Sequence, residues 1–245
     1  MTTSKQITLV RKRDDVDESA FARQLIDYGA LLAQHCEGIA KVAVNIVQTD
    51  QQLFEKIGLR IRPIEWHGFV HTWFDAPHPA PHAWRYPHSD QAVADHLLTI
   101  ASESTGWWVD ESDAWTYDRD WQDGVATPGI KQMSLVARRP DITFDEFVAR
   151  YRNHVNVAKV HHIGCWQYVQ NFVAEPSGTR PAPLIDGISE LWFRSVDDMI
   201  ERFYTAPGSP DAVRDDTTGF IDFANTRSYL TIEWIVFSEQ RARQT

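Results

Sequence analysis

LVRKRDDVDESAFARQL (residues 9–25) returns 126 residues later as LVARRPDITFDEFVARY (residues 135–151). The match runs on without a gap for about forty positions, so that Phe21 falls on Phe147, His35 on His161, Gly38 on Gly164 and Asn45 on Asn171. A second block, HGFVHTWF from His67, recurs as DGISELWF from Asp186, an offset of 119. A third, WWVDESDAWTY, aligns with GFIDFANTRSY from Gly219, placing Asp110 on Asp222 and Tyr117 on Tyr229. Blocks repeated in one order, with small changes of spacing, mark a duplicated domain. The division falls at residues 1–122 and 123–245, across the connector DRDWQDGVATPG, whose Pro and Gly interrupt regular structure.

The second copy is the easier to read. KQMSLVAR alternates as a strand does. TFDEFVARYRNHVNVAKVHH is amphipathic, with Thr143 as N-cap, Glu146 completing a capping box, and Gly164 suited to the C′ position. WQYVQNFV and GISELWF follow as strands, SVDDMIERFYT as a short helix capped by Ser195, and SYLTIEWIV as a closing strand. The order β-α-β-β-α-β is the ferredoxin-like unit. Such a sheet carries helices on one face only, and two copies can cover each other's bare faces. The fold class is therefore α+β: two tandem ferredoxin-like repeats. The segment DAPHPAPHAWRYPHSD reads as a loop inserted in the first copy.

Composition narrows the function. The chain has 245 residues, a net charge of −10 and 43% hydrophobic residues. With no basic face to offset the acidity, nucleic acid and anionic membrane are poor partners. No apolar run reaches the roughly 18 residues that span a bilayer, and the N-terminus reads as a first strand, not a signal peptide. Two cysteines, Cys36 and Cys165, make no disulfide framework, and a cytoplasmic location is the expectation. Ten Trp, 12 Phe and 7 Tyr fit either an aromatic core or a cavity for flat ligands.

FVARYRNHVNVAKVHHIGCWQYVQN, followed by DGISELWF and FIDFANTRSYLTIE, resembles the EthD family of dimeric α/β-barrel proteins across nearly all of residues 130–237. His154, Asn171, Glu190, Trp192, Phe193 and Asp222 occupy the positions that carry the resemblance. The first copy departs from it, with Tyr28 in place of the histidine and His71 in place of the glutamate. The resemblance implies that the two repeats pack as a fused, pseudo-dimeric α/β barrel, which could itself pair as a homodimer. Related barrels include cofactor-free cyclases, dehydratases, decarboxylases, isomerases and some monooxygenases, often acting on phenolic or polyketide-like compounds; others bind haem. Such a fold does not name a reaction.

Phe147, Tyr151, His154, Val155 and Ala158 share one helix face, so His154 is expected to point at the sheet. There it is either a satisfied core imidazole or a general acid/base, since its ordinary pKa near 6.5 suits proton transfer at neutral pH. Glu190, in an otherwise apolar strand, needs a partner. Pairing with His154 would orient the ring, while an Arg or a backbone amide would serve equally well structurally. Tyr168 and Asn171 are candidate donors to a developing oxyanion, though their opposite parity allows only one to face a given pocket. Trp166, Trp192 and Tyr168 are candidate walls for an aromatic ring. Tyr28 with His67 and His71 forms an alternative phenol/imidazole set in the first copy.

No cofactor or metal is expected. His67 and His71 lie four apart on a strand, roughly 13 Å between Cβ atoms, and His154 and His161 are about 10 Å apart along a helix. His78, His82 and His88 are separated by prolines and lack a matching carboxylate or cysteine. No phosphate-cradling glycine loop and no serine elbow occurs. The expected function is a cofactor-independent lyase on an aromatic or polyketide-like molecule, with His154 as acid/base and Glu190 as its orienter. A hydrophobic-ligand binding module and a monooxygenase or haem-binding barrel are the alternatives.

Overall fold

The computed structural model describes residues 4–57, 64–75, 90–176 and 184–239. The first copy runs β1 (Ser4–Lys12), α1 (Glu18–His35), β2 (Ile39–Val47), α2 (Gln51–Ile57), β3 (Gly68–Phe74), α3 (Gln91–Ile100) and β4 (Ala101–Trp115). The second runs β5 (Ile130–Val136), α4 (Phe144–His161), β6 (Cys165–Pro176), β7 (Gly187–Phe193), α5 (Val196–Arg202), α6 (Ser209–Thr217) and β8 (Arg227–Ser238). The eight strands close into one antiparallel barrel in the order β1-β3-β2-β8-β5-β7-β6-β4. Within each copy the strands stand in the order 4-1-3-2, that of a ferredoxin-like sheet. The two sheets are then sewn together twice, β2 on β8 and β6 on β4. Each sheet edge that a lone repeat would leave open is thus paired with the other repeat, which removes the aggregation hazard of a bare edge.

Local signals act as the sequence suggests. Thr143 and Glu146 form a complete capping box at the start of α4, and Ser195 caps α5. Phe147, Tyr151, His154 and Ala158 are the buried face of α4; Phe21, Leu25, Tyr28, Gly29 and Leu32 are that of α1. Each helix packs on the outer face of its own half-sheet, giving two aromatic-rich cores outside the barrel. A third core fills one end of the barrel interior, with Ile7, Phe69, Trp107, Met133, Ile188 and Tyr229.

Three sequence expectations change. Gly164 is not in the left-handed region, which its repeat counterpart Gly38 occupies at φ 76°. Its constraint is proximity, since a Cβ there would sit 2.7 Å from the Arg202 carbonyl oxygen. The third repeat block was matched ten residues out of register. Glu111 pairs with Asn171 and Glu233 with Asn45, so Glu111 and Glu233 are the equivalent residues, an offset of 122 (233 − 111). Asp222 precedes β8 and binds its own loop through Ala224 N and Asn225 Nδ2. Aromatic side chains on both segments invited the shorter offset; the ladder, which must bring strand to strand, fixes the longer one. Finally, α2 and α6 were not expected, both being short and largely polar. The inserted loop and its His78, His82 and His88 lie outside the described residues.

Candidate functional site

Between α4, α6 and the outer face of the second half-sheet lies a cavity of about 300 Å³, the lower end of the range for small-molecule sites. His154 and Tyr151 reach it from α4, Tyr168 from β6, and Ser189 and Leu191 from β7. Gln132 and Ser134 of β5 and Ser228 of β8 make a polar floor, with the two serine hydroxyls 2.8 Å apart. Phe203, Tyr204, Pro210, Val213 and Arg214 cover it from the α5–α6 side. The period-2 alternation of the strands puts these side chains outward and their neighbours into the barrel.

His154 is 6% exposed, and its Nδ1 lies 2.6 Å from Oδ2 of Asp216 on α6. A carboxylate only accepts, so Nδ1 carries the proton and Nε2 is left with its lone pair. No described residue hydrogen-bonds to that nitrogen. Burial pushes the imidazole below its ordinary pKa, against the pull of the Asp216 carboxylate. A neutral ring with a free Nε2 lone pair is a base. Tyr168 packs edge-on to His154, ring centroids 6.4 Å apart, and accepts a hydrogen bond from Gln170 Nε2. The Tyr151 hydroxyl is buried beside Ser189 and Tyr168, and by strict geometry it makes no hydrogen bond among the described residues.

Glu190 does not meet His154. It lies on the barrel side of β7, one residue out of phase with the cavity-lining Ser189 and Leu191, and the expected His154–Glu190 pair is replaced by His154–Asp216. Inside the barrel Lys5 Nζ approaches Glu111 at 2.5 Å, Glu190 at 2.9 Å and Asn171 Oδ1 at 2.9 Å, with the Trp73 ring at 4.6 Å. Its counterpart Lys131 contacts Glu190, Glu233 at 2.9 Å and Asn45 Oδ1 at 2.8 Å, beneath Trp192 at 4.1 Å. Burial would drive the Glu190 carboxyl up, but Lys131 and Lys5 outweigh it and hold it well below the usual range. Asn171 Nδ2 donates to Glu190 at 2.8 Å. His71, which faces this layer from the first copy, stands 3.5 Å from Glu190 Oε2, and neither ring nitrogen makes a hydrogen bond among the described residues. Burial takes the His71 pKa well below its ordinary value.

The sequence-derived candidates therefore separate into three places. His154 and Tyr168 share the cavity; Glu190, His71, Asn171 and Trp192 share the barrel's charged layer. The remaining three stand apart. Tyr28 is buried and stacked on His96, His67 is half-buried with Nδ1 accepting from Lys12 N, and Trp166 stacks on Tyr117 at 4.0 Å beyond the barrel end. The alternative set of Tyr28, His67 and His71 is not assembled: His71 points into the barrel and Tyr28 lies outside it. At the place in the first copy equivalent to the cavity, Leu25, Val44 and Val70 stand where the second has Tyr151, Gln170 and Ser189, and all three are at most 1% exposed.

Sequence reading missed Asp216, Lys5 and Lys131. The two lysines had a signal, since they sit at the same repeat position, each on a strand parity otherwise filled by apolar residues, Ile7 and Leu9 in β1 and Met133 and Leu135 in β5. Asp216 had none, because α6 itself was not foreseen. Among the described residues no group of three or more His, Cys, Asp or Glu converges as metal ligands would. Haem does not fit this cavity either, since about 300 Å³ is too small for a porphyrin.

Residues 139–224 match the EthD domain family. No curated protein matches the sequence. Among solved structures, an anthrone oxidase-like protein superposes with a TM-score of 0.60 at 9% identity, covering 97% of this chain and 94% of that one. A candidate monooxygenase from Fusobacterium nucleatum gives 0.58 at 11% identity, covering 96% and 93%. One from Lactobacillus acidophilus gives 0.52 at 8%, covering 95% and 94%. At these identities the likeness is one of fold.

Proposed function

Starting from a chain that carries an EthD domain in its second half, we propose that it is a cofactor-independent lyase with His154 as general base. The substrate is an aromatic or polyketide-like small molecule bearing an acidic proton. Asp216 accepts a hydrogen bond from Nδ1–H, fixes the tautomer and stabilises the imidazolium that forms when Nε2 takes a proton from the substrate. The proton then returns to the intermediate as CO2 or water departs. Tyr151 and Tyr168, whose hydroxyls burial pushes far above the ordinary phenol pKa, stay neutral and can hydrogen-bond to a developing phenolate or enolate. The cavity's apolar walls strengthen each of these interactions by excluding water. The single observation that carries the reading is the 2.6 Å His154–Asp216 contact at the wall of the cavity.

The test is incubation of the protein with a panel of phenolic and polyketide-like acids and alcohols. Loss of CO2 or water, abolished in His154→Ala, is the expected result. Oxygen uptake with the same dependence on His154 would place the same base at the head of an oxygenation instead. Binding without turnover across the panel would make the protein a ligand carrier and end the lyase reading.

A further inference from the structure

A second imidazole faces the same cavity. His162, the residue that ends α4, is 5% exposed and lines the cavity beside Phe203 and Tyr204. Its Nδ1 lies 2.7 Å from the Phe203 carbonyl oxygen. A carbonyl can only accept, so the proton of His162 is on Nδ1, as in His154. No described residue hydrogen-bonds to Nε2 of His162. The two rings are thus locked by the protein in the same tautomer, one by a carboxylate and one by the backbone. Each leaves one unused acceptor nitrogen, and neither is a donor there. Burial takes His162 down to about 4, so it does not become a donor near neutral pH.

We propose that His162 is a specificity-determining residue of this site, pairing with His154 to select fused-ring phenols that carry hydroxyl groups at opposite edges. Eight residues separate the two positions, roughly 12 Å along the helix axis, a span that a two-ring diol covers once a hydrogen bond is added at each end, and both residues line the cavity. A hydroxyl donated to His162 anchors the far edge of the molecule and holds the near edge against His154. A ligand with an ether at the far edge leaves two acceptors facing each other without a proton, and a buried group without its partner is penalised. The inference builds on the reading of this cavity as the substrate site, but it concerns binding, whereas that reading concerns turnover.

The probes are 2,6-dihydroxynaphthalene, its monomethyl ether and its dimethyl ether, titrated by calorimetry into the full-length protein. The diol is expected to bind about tenfold more tightly than the monomethyl ether, the worth of one buried hydrogen bond. His162→Phe and His162→Leu should reduce that preference to within about twofold. Should both variants fail to fold, imidazole ¹⁵N spectra of the wild-type protein decide: His162 Nε2 should resonate as an unprotonated nitrogen and move on adding the diol but not the dimethyl ether. Equal affinities for the three probes, a preference that survives in the His162 variants, or a His162 Nε2 that carries a proton would overturn the proposal. If the preference is absent while His154→Ala still abolishes turnover, only this inference falls. If it is present and nothing in the panel is turned over, the lyase reading falls and the inference stands.

Discussion

His154 and Asp216 meet across 2.6 Å although one lies on the long helix of the second repeat and the other on a short helix 62 residues further on. The carboxylate is attached to the part of the chain that roofs the cavity, so the same element that closes the pocket also sets the tautomer of the base. Asp216→Asn keeps the shape and removes the charge. An amide can present its NH2 to Nδ1, which favours the tautomer protonated on Nε2, the wrong nitrogen for a base. Turnover should fall at least tenfold in Asp216→Asn and about 10²–10⁴-fold in His154→Ala. Steady-state rates for the two variants, with near-ultraviolet circular dichroism to confirm packing, check this; rates within about threefold of wild type would remove both groups from the mechanism.

The charged layer inside the barrel calls for a different experiment, one of stability. Lys5 and Lys131 close on the single carboxylate of Glu190 from the two repeats, and all three are at most 2% exposed. Glu190→Gln leaves Lys5 with Glu111 and Lys131 with Glu233, and removes the one carboxylate that the two ammonium groups share. Because neither ammonium is left without a counter-charge, the loss is expected to fall short of the roughly 3–5 kcal/mol of a fully broken buried pair, and urea unfolding should show about 1–3 kcal/mol, the worth of charge-assisted hydrogen bonds. Glu190 lies on the other side of the sheet from His154, so a folded Glu190→Gln should keep most of its activity. A large drop in turnover at unchanged stability would return Glu190 to the catalytic role that the sequence suggested.

Two of the three repeat blocks, the succession of strands along each copy and the inward face of α4 could be read from the sequence, because each rests on a pattern carried over many residues. The partners of the polar groups could not. Glu190 was recognised as a buried carboxylate in need of a counter-charge, and its parity with Ile188 and Trp192 was read correctly. What was missing was the knowledge that the opposite parity, Ser189 and Leu191, faces the helix that bears His154. One strand has two faces, and a sequence marks which residues share a face without marking which face meets which helix. The same ambiguity concealed Lys5 and Lys131, whose partners are remote in sequence: 106 residues for Lys5–Glu111, 102 for Lys131–Glu233, and 185, across the repeat boundary, for Lys5–Glu190.

His71 is where the two repeats differ most in this layer. The first copy presents an imidazole at the position of Glu190, and it leaves Asn45 Nδ2 and both ring nitrogens without partners. Buried unsatisfied groups cost about 1–3 kcal/mol each. His71→Leu, close in volume, removes two of them at once. The variant should be more stable than wild type by about 1 kcal/mol, a rise in Tm of roughly 2–4 °C for a chain of this size, with turnover within about twofold. A fall in Tm would mean that the ring holds a proton or a water that its surroundings need.

Acid should weaken the fold in two stages, and the sign follows from where the protons bind. Burial lowers the folded-state pKa of His71, His154 and His162, the last to about 4. In the unfolded chain these rings titrate near 6.5. Unfolding therefore takes up protons below about pH 6.5, and the stability these three groups contribute is fully present above that pH and lost as the pH falls towards their folded values. Two strongly shifted rings, His71 and His162, give a slope of about 2.7 kcal/mol per pH unit once both are charged in the unfolded chain. Glu190 adds a second stage. Lys131 and Lys5 hold its carboxyl well below the usual range against the effect of burial, so its contribution is present above about pH 4.3 and lost below it. Urea midpoints measured at pH 7.5, 6.5, 5.5 and 4.5 should stay level over the first step and fall steeply over the last two. In His71→Leu or His162→Leu the slope between pH 5.5 and 4.5 should drop by about 1.4 kcal/mol per pH unit. A stability profile that is flat from pH 7.5 to 4.5 would mean these rings are charged, or exposed, in the folded protein.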